Sequence, residues 1–172
     1  MIERAAQARL HDLIAAELWQ PMGAEFDAEI TLDAHGNPMA DGGICATLRD
    51  VARFGQLFLQ RGQRAGRQIV PGSWIEDIIR GAPDGASAFR GGDNPAGYPP
   101  GAHYRNCWWV RDPSLPLYHA SGINGQHVFV HVPAQMVVVK LSTWPAALGA
   151  DWQRLTVTGV MAAAAALQEG RC

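Results

Sequence analysis

Apolar residues recur at helical spacing at both ends of the chain and alternate as in strands between them. Ala6, Leu10, Leu13, Ile14 and Leu18 fall on one side of a helix over Ile2 to Leu18, with charged residues among the other positions. Pro21 and Gly23 stop it. Ile30 and Leu32 alternate with Glu29, Thr31 and Asp33, a short strand followed by the turn Asp33-Ala34-His35-Gly36-Asn37-Pro38. Thr47 to Gln60 is the clearest helix. Thr47 is its N-cap, Asp50 stands where a capping box has Glu, and Leu48, Val51, Ala52, Phe54, Leu57, Phe58 and Leu59 form a broad apolar face. Pro71 suits the start of a short helix through Ile79.

The pattern breaks between Gly81 and Gly101, where ten of 21 residues are Gly or Pro. A long aperiodic stretch of this kind predicts a binding loop, a lid or a disordered segment. Strand signals follow at Tyr104 to Val110 and Tyr118 to Ser121. In Gln126 to Val132, Val128, Val130 and Val132 lie on one face and His127, Phe129 and His131 on the other. Pro133-Ala134-Gln135 joins this run to the β-branched Met136 to Ser142, which predicts an antiparallel hairpin. Asp151 to Gln168 reads as a closing helix, with Asp151 as its N-cap. Helices, then three or four antiparallel strands, then a helix predict an α+β fold with an antiparallel sheet flanked by helices.

Composition narrows the function classes. The 172 residues are 48% hydrophobic and 17% charged, enough for a real core. A net charge of −2 gives no basic footprint for nucleic acid or a membrane surface. The longest apolar run, Val160 to Leu167, is far short of a membrane span. No apolar segment after Met1 resembles a signal peptide, which favours a cytoplasmic protein unless the natural N-terminus lies further upstream. Of 14 basic residues 13 are Arg, so a mechanism that needs a lysine must use Lys140 or import one. Cys45, Cys107 and Cys172 are widely spaced. They read as reduced thiols, with a Cys45–Cys107 disulfide left open. His127 and His131 have the spacing of a helical zinc pair but fall on a strand with no third ligand, so no metal is expected, and no organic cofactor either. Oligomeric state is not readable from the sequence.

Gly-x-Ser-x-Gly, a Walker loop, Gly-x-Gly-x-x-Gly and His-Glu-x-x-His are all absent. The chief local signal is His119-Ala120-Ser121-Gly122-Ile123-Asn124-Gly125-Gln126, whose small residues at a strand end let a ligand approach the backbone.

Together with other segments, this stretch resembles the C-terminal part of the serine β-lactamase and penicillin-binding-protein-like hydrolases, in the esterase and 6-aminohexanoate-dimer hydrolase branch. Leu10 to Glu25 is similar to the family's helix ending in Leu-Trp-x-Pro-Met/Leu-Gly-Ala-Glu. Asp41 to Leu59, with Thr-Leu-Arg-Asp-Val-Ala-Arg-Phe-Gly, is similar to its Gly-Gly…Thr-x-x-Asp-Leu-Ala-Arg-Phe-Gly helix, and Arg67 to Ile79 resembles its Ile-Val-Pro…Trp-Ile/Val helix. His119 to Gln126 falls where the family has its third motif, often Lys-Thr-Gly. Ala120 then replaces the Lys, Ser121 the Thr, and Gly122 matches the Gly. The resemblance implies that the Ile123 backbone N–H forms half of an oxyanion hole. It implies side-chain roles for His119 and Ser121, and substrate contacts at Gly122, Asn124 and Gly125. The partner it implies is a small-molecule ester or amide.

The family's nucleophile lies in Ser-x-x-Lys, and this chain cannot contain that motif because Val137 stands three residues before Lys140. Tyr104-Arg105-Asn106 spells the second motif but lies only 15 residues before His119, and reads as a chance match. Residues 1–172 are therefore expected to be the C-terminal portion of one hydrolase domain whose nucleophile lies upstream, the isolated chain being inactive. Two alternatives stay open: a non-catalytic β-lactamase-like binding module that has lost its nucleophile, and a complete small enzyme using Ser121 with His119.

Overall fold

The computed structural model describes residues 1–39, 42–92 and 97–170. A five-stranded antiparallel sheet runs in chain order: β5 (His103–Arg105), β6 (Trp108–Asp112), β7 (Leu117–Gly122), β8 (Gln126–His131) and β9 (Met136–Lys140). Tyr104 to Val110, read as one strand, is a hairpin. Asn106 and Cys107 take positive φ of 51° and 67° and reverse the chain between β5 and β6, the backbone of a two-residue turn that matches strand twist.

Strand alternation builds two cores, one on each face. Tyr118, Val110, Val130 and Trp108 project to one side. There they meet Phe58 of α3 (Leu48–Leu59) and Ile75 and Ile78 of α4 (Gly72–Arg80). Leu117, Phe129 and Met136 project to the other side, against Val160 and Ala164 of α6 (Ala150–Glu169). The Tyr118 hydroxyl reaches across the first core to donate to the Phe58 carbonyl, 3.2 Å away. Gly55 lets α3 lie close on the sheet, since a Cβ there would stand 2.6 Å from Val137. No helix among the described residues is long and apolar enough to cross a membrane.

The N-terminal half departs furthest from its pattern. The single helix expected over Ile2 to Leu18 is broken into α1 (Ile2–Ala6) and α2 (Leu10–Ile14), continuing as a π-helical turn, Ala15–Trp19. Gln7 adopts the left-handed conformation, and the Glu3 carboxylate instead accepts from the Leu10 N–H at 2.8 Å. β1 (Glu29–Ile30) pairs with β2 (Ile44–Cys45), and a small hairpin of β3 (Gln63–Arg64) and β4 (Arg67–Gln68) follows α3. Thr47 caps α3 by accepting from the Asp50 N–H. The Asp50 carboxylate does not close a reciprocal box. It accepts from the backbone N–H groups of Glu25 (2.8 Å) and Phe26 (3.3 Å), from the Thr47 hydroxyl (2.8 Å) and from Arg53 (3.0 Å).

The Gly/Pro-rich stretch is not wholly aperiodic. It contains α5 (Gly85–Gly91), whose Phe89 is buried; residues 93–96 of that stretch lie outside the described residues. α6 begins at Gly149 without a side-chain cap, and Asp151 pairs with Arg154 instead of capping. Cys45 and Cys107 are free, exposed thiols; Cys172 lies outside the described residues.

Candidate active site

β7 carries most of the candidate residues, and its alternation separates them. Tyr118 and Ala120 face α3 and α4. Leu117 and His119 face the α6 side, and Ser121 follows His119 on that side. Ser121 and Gly122 are exposed, and the strand then enters a 3₁₀ turn, Ile123–Gly125. Ile123 heads this turn, where no carbonyl within the turn can accept its N–H. Its side chain is 66% exposed.

The turn is held from behind. Asn124 N–H donates to the Ala147 carbonyl (2.9 Å), and Trp144 N–H donates back to Asn124 (3.0 Å). Lys140 donates to the Ser142 hydroxyl (2.7 Å), which donates to the Gly125 carbonyl (2.7 Å). The Lys140 ammonium also lies 4.7 Å above the Trp144 ring. The chain's one lysine thus fixes the turn's backbone. Gly125 has φ +83°, and a Cβ there would lie 2.3 Å from Trp144, so only glycine fits.

His119 is fully buried and stacks on Phe129 at 4.8 Å between centroids. Its Nε2 shares a 3.0 Å hydrogen bond with the Tyr98 hydroxyl. Burial first, then Arg111 and His127, pushes its pKa down to about 3. This neutral ring pins the Gly/Pro-rich segment to the sheet through Tyr98, which also packs on Phe89 and Trp109 and lies under Arg111. Trp108, by contrast, belongs to the α3 core. His119 and Ser121 share a face, but the residue directly across from Ser121 is His127, itself paired across the sheet with Lys140. Burial, with Lys140 second, pushes His127 down to about 4, and among the described residues neither of its ring nitrogens has a hydrogen-bond partner.

Two depressed histidines predict acid sensitivity. The unfolded chain takes up protons near pH 6.5, and the native rings do so only near 3 and 4. Their contribution to stability is therefore complete above about pH 6.5 and is lost as pH falls toward 4, by up to about 1.4 kcal/mol per pH unit for each ring. Denaturant unfolding of His127→Phe should show a flatter pH dependence between about 6 and 4 than the parent chain; an unchanged slope would exclude His127 as a cause.

The Tyr104-Arg105-Asn106 triplet serves structure. Arg105 and Asn106 both donate to Asp77 of α4, at 2.7 and 3.0 Å, and with Arg105 the main cause they hold its carboxyl at about 2. Among the described residues no three His, Cys, Asp or Glu side chains gather into a metal site. Lys140 and Ser142 were not legible as supports of the site; only the isolation of Lys140 in an arginine-rich chain marked either of them, whereas Phe89 and Tyr98 stood out in the sequence as apolar anchors of the Gly/Pro-rich segment.

No family model matches the sequence. The chain is 32% identical over 145 residues to the 6-aminohexanoate-dimer hydrolase of Paenarthrobacter ureafaciens, across 84% of this chain and 36% of that protein. A solved Bacillus anthracis structure named as a 6-aminohexanoate-dimer hydrolase superposes with a TM-score of 0.81 at 25% identity, covering 98% of this chain and 41% of that one. Over most of its length the chain is similar to part of a 6-aminohexanoate-dimer hydrolase. A β-lactamase-like structure from Bacteroides dorei shares the fold at a TM-score of 0.58 and 18% identity, over 91% of this chain and 53% of that one. The chain spans little more than a third of the Paenarthrobacter ureafaciens hydrolase that it matches.

Proposed function

We propose that this chain is the C-terminal portion of a serine hydrolase that cleaves a small-molecule ester, amide or β-lactam through an acyl-enzyme. The observation that carries the reading is the Ile123 turn. A backbone N–H at the head of a turn fixed by Lys140, Ser142 and Trp144 suits an oxyanion donor, which must be in place before charge develops. One such donor is worth about 2.7–4 kcal/mol in the transition state. Ser121 is exposed one residue before Gly122 and orients substrate. His119, locked to Tyr98, acts by shaping the strand and not as a base. The nucleophile and its activating lysine come from outside these 172 residues.

The absence of Ser-x-x-Lys favours a second reading, a non-catalytic binding module. The isolated chain should not turn over p-nitrophenyl esters or react with a fluorophosphonate. Together with the remainder of the fold, a fluorophosphonate should modify a serine outside this chain, located by mass spectrometry. An assembled protein that gives no serine adduct supports the binding module. Labelling of Ser121 in the isolated chain would overturn both readings in favour of a self-sufficient Ser121 enzyme.

A further inference from the structure

Three buried ring nitrogens lie together behind the Ser121 strand end without a hydrogen-bond partner among the described residues: Nδ1 of His119 and both nitrogens of His127. The two rings are 6.3 Å apart between centroids. His119 is anchored through its other nitrogen to Tyr98. The His127 ring instead lies between Phe129, at 5.5 Å, and Trp144, at 5.6 Å, and the residue is only 2% exposed. Leaving such a buried polar group unpaired costs more than its hydrogen bond is worth when made. Apolar packing therefore does not account for a histidine at this position, where phenylalanine would fill the same space.

Two side chains stand directly across the sheet from His127 on its own face, Ser121 of β7 and Lys140 of β9. Lys140 is committed to Ser142 and to the face of Trp144. The Ser121 hydroxyl has no hydrogen-bond partner among the described residues. Paired residues on adjacent antiparallel strands hold their Cβ atoms about 4.5–5.5 Å apart, so rotation about the Ser121 Cα–Cβ bond brings its hydroxyl to the ring. Burial and Lys140 keep that ring neutral near pH 7. A neutral imidazole has one donor and one acceptor nitrogen, and a hydroxyl can meet either. We propose that His127 is a positioning residue of the site, which fixes the Ser121 hydroxyl in one orientation toward the substrate. The substrate role rests on the hydrolase reading; the contact between the two side chains does not. An unheld serine hydroxyl spreads over three rotamers, and holding one of them before substrate arrives removes that ordering cost from binding. Lys140 braces the Ile123 turn through Ser142 and Gly125. The row Lys140, His127, Ser121 across β9, β8 and β7 thus supports both groups offered to substrate, the Ile123 N–H and the Ser121 hydroxyl.

The contact is tested in this chain by nitrogen-15 NMR of its imidazole rings. Ser121→Ala should shift one ring nitrogen of His127 and leave those of His103, on β5, and His131, at the far end of β8, in place. The substrate role is tested by kinetics on p-nitrophenyl esters with the chain joined to the remainder of the fold. His127→Phe should raise KM roughly three- to tenfold, as Ser121→Ala does, with a smaller change in kcat. His127→Gln, which keeps a donor and an acceptor, should recover most of the loss. The double variant His127→Phe/Ser121→Ala should be no worse than either single one, because both remove the same contact. Thermal unfolding checks that each variant folds, and the Ser121→Ala shift needs no change at His127. An unmoved His127 resonance would overturn the proposal whatever the kinetics, as would additive effects in the double variant or His127→Gln behaving as His127→Phe. A shifted resonance in a joined protein that neither turns over esters nor forms a serine adduct would leave the contact standing and overturn the hydrolase reading, and with it the substrate role of the pair.

Discussion

Ile123→Pro in the assembled hydrolase should lower kcat by about 10²- to 10³-fold, the cost of losing one oxyanion donor, while Ile123→Ala changes it less than about threefold. The two variants separate backbone from side chain. Alanine keeps the N–H and trims a side chain that is already 66% exposed, whereas proline deletes the donor. Ile123 heads its turn, so proline's fixed φ is tolerated better there than within β7. The structural effect of proline is read separately, from the thermal unfolding of the isolated chain. A folded Ile123→Pro enzyme with normal kcat would remove this turn from the site. Ser121→Ala should raise KM more than it lowers kcat, as expected for a hydroxyl that orients substrate.

Asp50→Ala should give the largest loss of stability, a fall in unfolding midpoint on the order of 10 °C. Asp50 is fully buried, and its carboxylate gathers the Glu25 and Phe26 N–H groups, the Thr47 hydroxyl and Arg53. Arg53 also pairs with Glu25. Removing the carboxylate leaves two backbone donors without their acceptor, costs Arg53 one of its two carboxylate partners and loosens the segment after Met22 from α3. The hydrogen bond from Glu25 N–H is the main cause holding the Asp50 pKa below its usual value. Its contribution is thus present above about pH 4 and is lost as pH falls through the lower native value. The Asp50→Ala chain should therefore lose less stability than the parent below pH 4. A midpoint change of only a degree or two would show that the carboxylate is dispensable.

The elements legible in the sequence were those whose signal is local. The Thr47 cap with the apolar face of α3, the alternation in β8, and the turn between β8 and β9 each depend on residues within one or two turns or strands. The structure places them as expected. The strand end at Ser121 and Gly122 was legible as well, because small residues there are a local property. What failed was decided by contacts distant in the chain. Helical spacing carried Ile2 to Leu18 as one helix, but propensity is weak beside a carboxylate that can satisfy Leu10 N–H across the break. Asp50 looked like a local cap because nothing in its own helix reveals that residues 25 and 26 will fold back onto it. The same holds for the site. The sequence placed Ser121, Gly122 and Ile123 together, since they are neighbours in the chain. Only the sheet register set His127 rather than His119 opposite Ser121, and only the packing of Tyr98 made His119 a fixed, neutral support. Strand periodicity specifies which face a side chain takes, and tertiary structure alone decides what meets it there.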